Sequence, residues 1–347
     1  MDVSGIMDSL RYRAPWQKVA RVILKNQGFH VGQGWDDTLP DIDALHAVGA
    51  ADAAKLEDAL IEHLIAGEKS LQFYSASREN LDWLLATARK SSPSKHELVS
   101  IFPGILPEPA LAVMGDVPPK FCKIIDTDIG SALIFVASRA YQKRVKLSPD
   151  SIKASVAGDL EFDSIIGIIN HRAVVYDAIW IPADAEFAVV LADYPTDVTT
   201  DFPVPSHLAL RKFLSKQLKE DVEASNLFES VATLYGAPDG DLVELGFITD
   251  DDSVKHLKAR QGKKSLRKDS YHSAGSKEVG ESLQPFRVAV RWGRKLSSGL
   301  TSHPELLLPG TSRHIFGVNH LLTEAVFRNG LNLGDLGLII SKLAANI

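Results

Sequence analysis

The stretch FCKIIDTDIGSALIFVA, residues 121–137, places two short apolar runs, Phe121–Asp126 and Ala132–Ala137, on either side of Asp128-Ile129-Gly130. Asp and Gly are the residues that a tight hairpin turn needs, one for its short polar side chain and one for its backbone freedom, so the stretch reads as two antiparallel strands. Further β-branched or aromatic runs follow at Ile165–Ile169, Val174–Ile181 and Phe187–Leu191, with turn residues at Asn170–Arg172 and Pro182–Asp184. That succession predicts a mainly antiparallel sheet through the middle of the chain.

On both sides of this region the hydrophobic period changes to that of helices. Pro15 opens PWQKVARVILKN with Trp16, Val19, Val22 and Ile23 along one side, and Leu56, Leu60, Ile61, Leu64 and Ile65 repeat the pattern. Ser77 reads as the N-cap of RENLDWLLATARK, Ser206 as that of HLALRKFLSKQLKEDV, and Asn226 as that of LFESVATLYG. Residues 102–119, FPGILPEPALAVMGDVPP, hold five prolines, which argues against helix and central strand alike. Strands are expected at Leu242–Ile248 and Phe286–Trp292, and an apolar helix in LGLIISKLAANI, residues 336–347. The expected class is α+β: a helical module over 1–95, a β-rich domain over 96–205, and a mixed domain over 206–347 with a basic segment at 253–295.

Composition narrows the class further. At 347 residues, 45% hydrophobic and 24% charged, the chain is long and apolar enough for two or three globular domains. Its single cysteine, Cys122, excludes an intrachain disulfide and a cysteine-based zinc cage, and in PPKFCKIID it reads as a small buried residue. No apolar run is long enough to span a bilayer and MDVSGIMDSLRYRAPW has no signal-peptide core, so a cytoplasmic location is expected. There is no G-x-x-x-x-G-K-[ST], no G-x-S-x-G and no H-E-x-x-H, and Gly32-x-Gly34 lacks the preceding strand of a dinucleotide fingerprint.

Charge gives the most specific functional signal. Between Asp250 and Lys295 there are twelve Lys or Arg against six Asp or Glu, a window of +6 in a chain of net −6. Cations concentrated in an otherwise acidic protein create a local field suited to phosphate. The expected nucleic-acid surface comprises Lys255, Lys258, Arg260, Lys263, Lys264, Arg267 and Lys268, joined by Arg287, Arg291, Arg294 and Lys295. In the strand Phe286–Trp292, alternation turns Phe286, Val288, Val290 and Trp292 to the core and Arg287 and Arg291 the other way. His256 and His272, beside Tyr271, are candidates for metal-free phosphodiester cleavage, one as base and one as acid.

Asp126 and Asp128, one residue apart at a strand end, are candidate ligands for a divalent cation, the only cofactor expected. With Gly130 they resemble the opening motif of nucleoside hydrolases, although Ser131 and Ala132 stand where that family has further aspartates. With Gly115 they also resemble nucleotidyltransferases of the polymerase β type, although Asp116 replaces a Gly or Ser and Pro118-Pro119 interrupt the intervening helix. Either resemblance implies metal-dependent chemistry.

The leading expectation is a nucleic-acid or polyanion-binding protein, on the model of a subunit of a bacterial defence or mobile-element system. The competing expectations are a phosphodiester-acting enzyme and a structural assembly subunit. A partner subunit could meet the acidic remainder of the chain, and the apolar C-terminal helix could form a homo-oligomer.

Overall fold

Among the described residues, ten strands hydrogen-bond into one antiparallel sheet, in the order β2-β3-β4-β5-β1-β12-β11-β8-β6-β7. They are β1 (Lys69–Ser75), β2 (Val117–Thr127), β3 (Gly130–Leu147), β4 (Ile165–Pro182), β5 (Phe187–Asp193), β6 (Asp241–Ile248), β7 (Val254–Lys258), β8 (Gln284–Arg291), β11 (Glu305–Leu308) and β12 (Ala325–Arg328). Two short strands, β9 (Arg294–Lys295) and β10 (Thr301–Ser302), pair separately. The computed structural model describes residues 1–44, 50–148, 164–195, 198–249, 253–260, 265–270, 283–317 and 320–347. The class is α+β, with helices leading, the large sheet in the middle, and helices mixed with strands toward the C-terminus.

The hairpin expected at 121–137 forms as read: Thr127 pairs with Gly130 and the turn is Asp128-Ile129. Gly130 is required there by close approach, because a Cβ would lie 2.6 Å from the Ile181 carbonyl oxygen. The five-proline segment departs from its reading. A helix spans Glu108–Met114 with Pro109 in its first turn, where no N–H is missed, and Pro118-Pro119 enter β2, an edge strand with a shifted register.

Three further differences have local causes. Asn170-His171-Arg172 do not turn the chain but lie inside β4, because β3 supplies partners: Gln142 bonds Asn170 at 3.2 Å and Tyr141 stacks on His171 at 5.5 Å. Ser206 is not an N-cap, since its helix begins at Val204 and its hydroxyl donates to Asp177. Lys69–Ser75, inside the segment read as helical, is a central strand; it is buried on both faces and so lacks alternation. Ser77 does cap its helix, accepting from the Asn80 N–H, whereas the helix read as capped by Asn226 starts at Phe228 after Leu227, and the Asn226 side chain accepts from the Phe228 N–H from one residue further out.

One face of the sheet carries Leu71, Phe73, Tyr176, Trp180, Val288 and Phe327 under the helices Val3–Arg13, Ala50–Ala66, Phe228–Gly236 and Leu333–Leu343. The other carries Tyr74, Phe135, Ile179 and Val190 under Arg78–Lys90 and Val204–Leu218. Each fully buried Leu or Phe contributes on the order of 1.5–3 kcal/mol, so these layers supply most of the stability. The C-terminal helix buries Leu336, Ile339, Ile340 and Leu343 within the chain, so its apolar stripe is already covered. β1 lies between β5 and β12, which ties the N-terminal and C-terminal segments into one sheet. No helix among the described residues is long and apolar enough to cross a membrane.

Candidate functional site

The site begins where two strands part. β4 pairs with β5 only over Ala178–Trp180, while β3 and β4 pair without interruption from Gly130↔Pro182 to Leu147↔Ile165. β2 accompanies β3 no further than Ser138. From Arg139 to Leu147 and back from Ile165, the ribbon is therefore two-stranded among the described residues, an arm of about 30 Å at roughly 3.3 Å per residue whose inner part packs on the helix Glu108–Met114 and Phe202.

Buried charges hold the fork open. The Tyr176 N–H donates to Asp193 at 2.6 Å and the Asp193 N–H donates to Asp177 at 2.9 Å, so carboxylates accept where ladder carbonyls would. Lys69 and Arg13 both bond the Asp193 carboxylate, and Lys69 also donates to the Tyr176 carbonyl at 2.5 Å. On the Asp177 side, Arg139 donates at 2.9 Å and lies over the Phe202 ring at 4.6 Å. Burial opposes the charge on Asp193, yet Arg13 and Lys69 outweigh it and hold its carboxyl at about 2. Burial pushes Lys69 down, and Asp193 pulls it back.

A cleft of about 1060 Å³ opens in the notch between the arm and the far half of the sheet. Its lining includes eight cationic side chains (Arg11, Arg13, Lys18, Lys143, Lys258, Arg260, Arg291 and Arg328) against four carboxylates (Glu68, Asp193, Glu244 and Glu305). Tyr12, Trp16 and Tyr141 add aromatic surface. Besides Asp193, three titratable groups in the lining are strongly perturbed, Glu68, His63 and Tyr12, the last pushed up to about 12 by burial. Burial pushes Glu68 up to about 7, against the Asn329 N–H that bonds it at 2.8 Å and the charge of Arg328. Burial, with Arg13 and Lys69 nearby, holds His63 at about 3, so it is neutral where it bonds the Gly330 carbonyl.

The cationic residues expected from sequence divide into three groups. Lys258, Arg260 and Arg291 line the cleft. Arg287, Arg294 and Arg267 do structural work instead: Arg287 pairs with Glu244, Arg294 with Asp335 at 2.6 Å, and Arg267 donates to the Tyr235 and Leu234 carbonyls that end a helix. Lys255, Lys268 and Lys295 are exposed away from the cleft lining. Lys263, Lys264, Tyr271 and His272 lie outside the described residues, so the proposed histidine pair is represented by His256 alone, which packs edge-on to Phe286 at 5.3 Å. Sequence reasoning missed Arg11, Arg13, Lys18 and Lys143. Only Lys143-Arg144-x-Lys146 left a local trace, as a short cationic run in an acid-free strand.

Other candidate groups lie elsewhere. Asp126 is bonded by Arg89 at 2.8 Å and by Ser131 at 2.6 Å, and the Arg89 and Ser131 bonds hold its carboxyl below the usual range. Asp128 is exposed in the hairpin turn, and no cluster of three or more His, Cys, Asp or Glu suited to a metal occurs among the described residues. His314 and His320 both rest on Phe228, at 5.9 and 5.7 Å. Ser70 sits between His207, at 2.7 Å, and Glu324, at 2.8 Å. In that order the histidine has no carboxylate behind it, and neither Ser70 nor His207 borders the cleft.

What the cleft can do chemically is hold phosphate groups beside aromatic faces, and its near-neutral carboxyl can take up or release a proton while it does so. In comparisons with known proteins, no family model, no curated protein and no solved structure matches the chain.

Proposed function

We propose that the chain binds single-stranded nucleic acid in the cleft at the fork. The observation that carries this reading is that Lys18, Lys143, Arg260 and Arg291 converge on one cavity with no acidic partner in hydrogen-bond or ion-pair reach among the described residues. Cations kept unpaired around a common space favour a ligand that brings several negative charges. Tyr12 and Trp16 beside them suit bases, which stack on aromatic faces whatever their sequence. At about 1060 Å³ the cleft lies at the top of the range for one small ligand, which leaves room for a strand of a few nucleotides.

Asp126, Asp128 and His256 are not part of the cleft lining, so the reading is one of binding. Titration of labelled single- and double-stranded DNA and RNA at two salt concentrations tests it. Affinity for single strands that falls steeply with salt, and is lost in Arg260→Glu and Arg291→Glu, is expected. Absence of binding at low salt, or binding indifferent to both substitutions, overturns the proposal.

A further inference from the structure

The outer part of the arm carries a second surface, independent of the cleft reading. In β4 the segment Ile165-Ile166-Gly167-Ile168-Ile169 has no charge and no proline, and Ile166, Ile168 and Ile169 are 62%, 59% and 43% exposed. Strand edges that face solvent are ordinarily protected by lysines, prolines or bulges. Over the outer part of the arm, residues 143–147 and 165–169, only β3 has such protection, in Lys143, Arg144 and Lys146, and the β3–β4 register runs without a bulge.

The direction of the free edge follows from its inner end. The Tyr176 N–H and carbonyl and the Val174 carbonyl all point away from β3, toward Asp193, Lys69 and Arg13. Alternate residues of a strand direct their polar backbone groups to the same side. In an unbroken strand Ile166 and Ile168 therefore present N–H and C=O outward, while Gly167 turns its own toward β3.

The segment is also a palindrome about Gly167. A two-fold axis through that residue sets Ile166 against Ile168 of a second copy as a hydrogen-bonded antiparallel pair, and Ile165 against Ile169. The two glycines then meet at the non-hydrogen-bonded position, where backbones approach most closely. Both β3 strands, with their lysines and arginines, fall on the outer edges, with the two β4 strands between them. We propose that the arm is a self-association device: β4 of one copy pairs with β4 of another, antiparallel and in register about Gly167, to make a four-stranded ribbon that joins two molecules.

The contact is five residues long, below the size of a permanent interface, so association depends on concentration. Sedimentation of the full chain over a concentration series is expected to show a mass rising from 37.8 kDa toward twice that value. The double variant Ile166→Lys, Ile168→Lys, at two exposed positions, is expected to stay monomeric and to unfold at the same temperature as the parent. Register is tested with Gly167→Cys, whose Cβ would lie 2.9 Å from the end of the exposed Leu147 side chain, which can turn aside, and 3.7 Å from the Val145 carbonyl oxygen. Mild oxidation is expected to link two copies through that position and to leave Lys143→Cys, on the outer strand, unlinked. A monomer at every concentration, a dimer that persists in the double lysine variant, or equal cross-linking at positions 167 and 143 would each overturn the proposal.

Discussion

Tyr176 donates its backbone N–H to the carboxylate of Asp193 at 2.6 Å, at the position where the β4–β5 register would otherwise place those two residues opposite one another. One side chain thus ends a strand pairing, anchors two buried cations and forms part of the cleft.

Asp193→Asn keeps the shape and removes the charge. Arg13 and Lys69 would then be buried without a counter-charge, and a loss of about 3–5 kcal/mol is expected from chemical denaturation. Because the Asp193 carboxyl is held at about 2, below its ordinary 3.8, the stability it contributes is present above about pH 4. It is lost as the pH falls from there toward 2. The Asn variant should show a flatter acid limb in that window, and an unchanged limb would remove Asp193 from the acid transition.

Glu68 has the opposite sign. Its carboxyl is raised from 4.5 to about 7, so its contribution is complete below pH 4.5 and declines as the pH rises through 7. Glu68→Gln is expected to abolish that decline. The same substitution should remove a pH dependence of binding: in the parent, affinity for an oligonucleotide strengthens as the pH drops through 7 and the cleft loses a negative charge. Equal pH profiles for parent and variant would contradict this.

The arginines of the basic segment should separate by role. Arg291→Ala is expected to weaken binding and to lower the salt slope by about 0.7 per lost phosphate contact, with an unfolding midpoint close to the parent's. Arg294→Ala leaves the fully buried Asp335 without its ion-pair partner. It should cost roughly 3–5 kcal/mol of stability, less whatever the half-exposed guanidinium loses to solvent, with affinity retained in the molecules that stay folded. Measuring midpoint and affinity on both proteins checks the division, and a reversed pattern would defeat it.

Cys122 is buried, and burial pushes its thiol up to about 12. A thiol reagent at pH 8 is expected to leave it untouched in the native protein and to label it fully in denaturant. Rapid native labelling would mean that β2 opens readily at the edge of the sheet.

Much of the fold was legible because its signals are local. The 121–137 hairpin declared itself through Asp128 and Gly130, and the helix at Arg78 through Ser77. β1 did not, because a strand covered on both faces has no alternation to read, and its neighbours β5 and β12 lie far along the chain. The polar break at Asn170-His171-Arg172 misled for a related reason, since its partners Gln142 and Tyr141 sit on another strand. The site was half legible: the basic segment contributes Lys258, Arg260 and Arg291, but the cleft also needs Arg11, Arg13, Lys18 and Lys143 from elsewhere. Only topology brings those together, and only topology shows that Arg287 and Arg294 are occupied.

Ser70 and Glu324 touch across the seam between β1 and β12 although 254 residues separate them. On the ribosome, β1 emerges first among the described strands, yet its neighbour on one side, β12, emerges last. At about 5–20 residues per second, one flank of that strand waits for tens of seconds. During that interval the newborn chain holds a central strand with one edge unpaired, even after β5 has taken the other, so chaperone demand should persist through translation and fall once Ala325–Arg328 has cleared the exit tunnel.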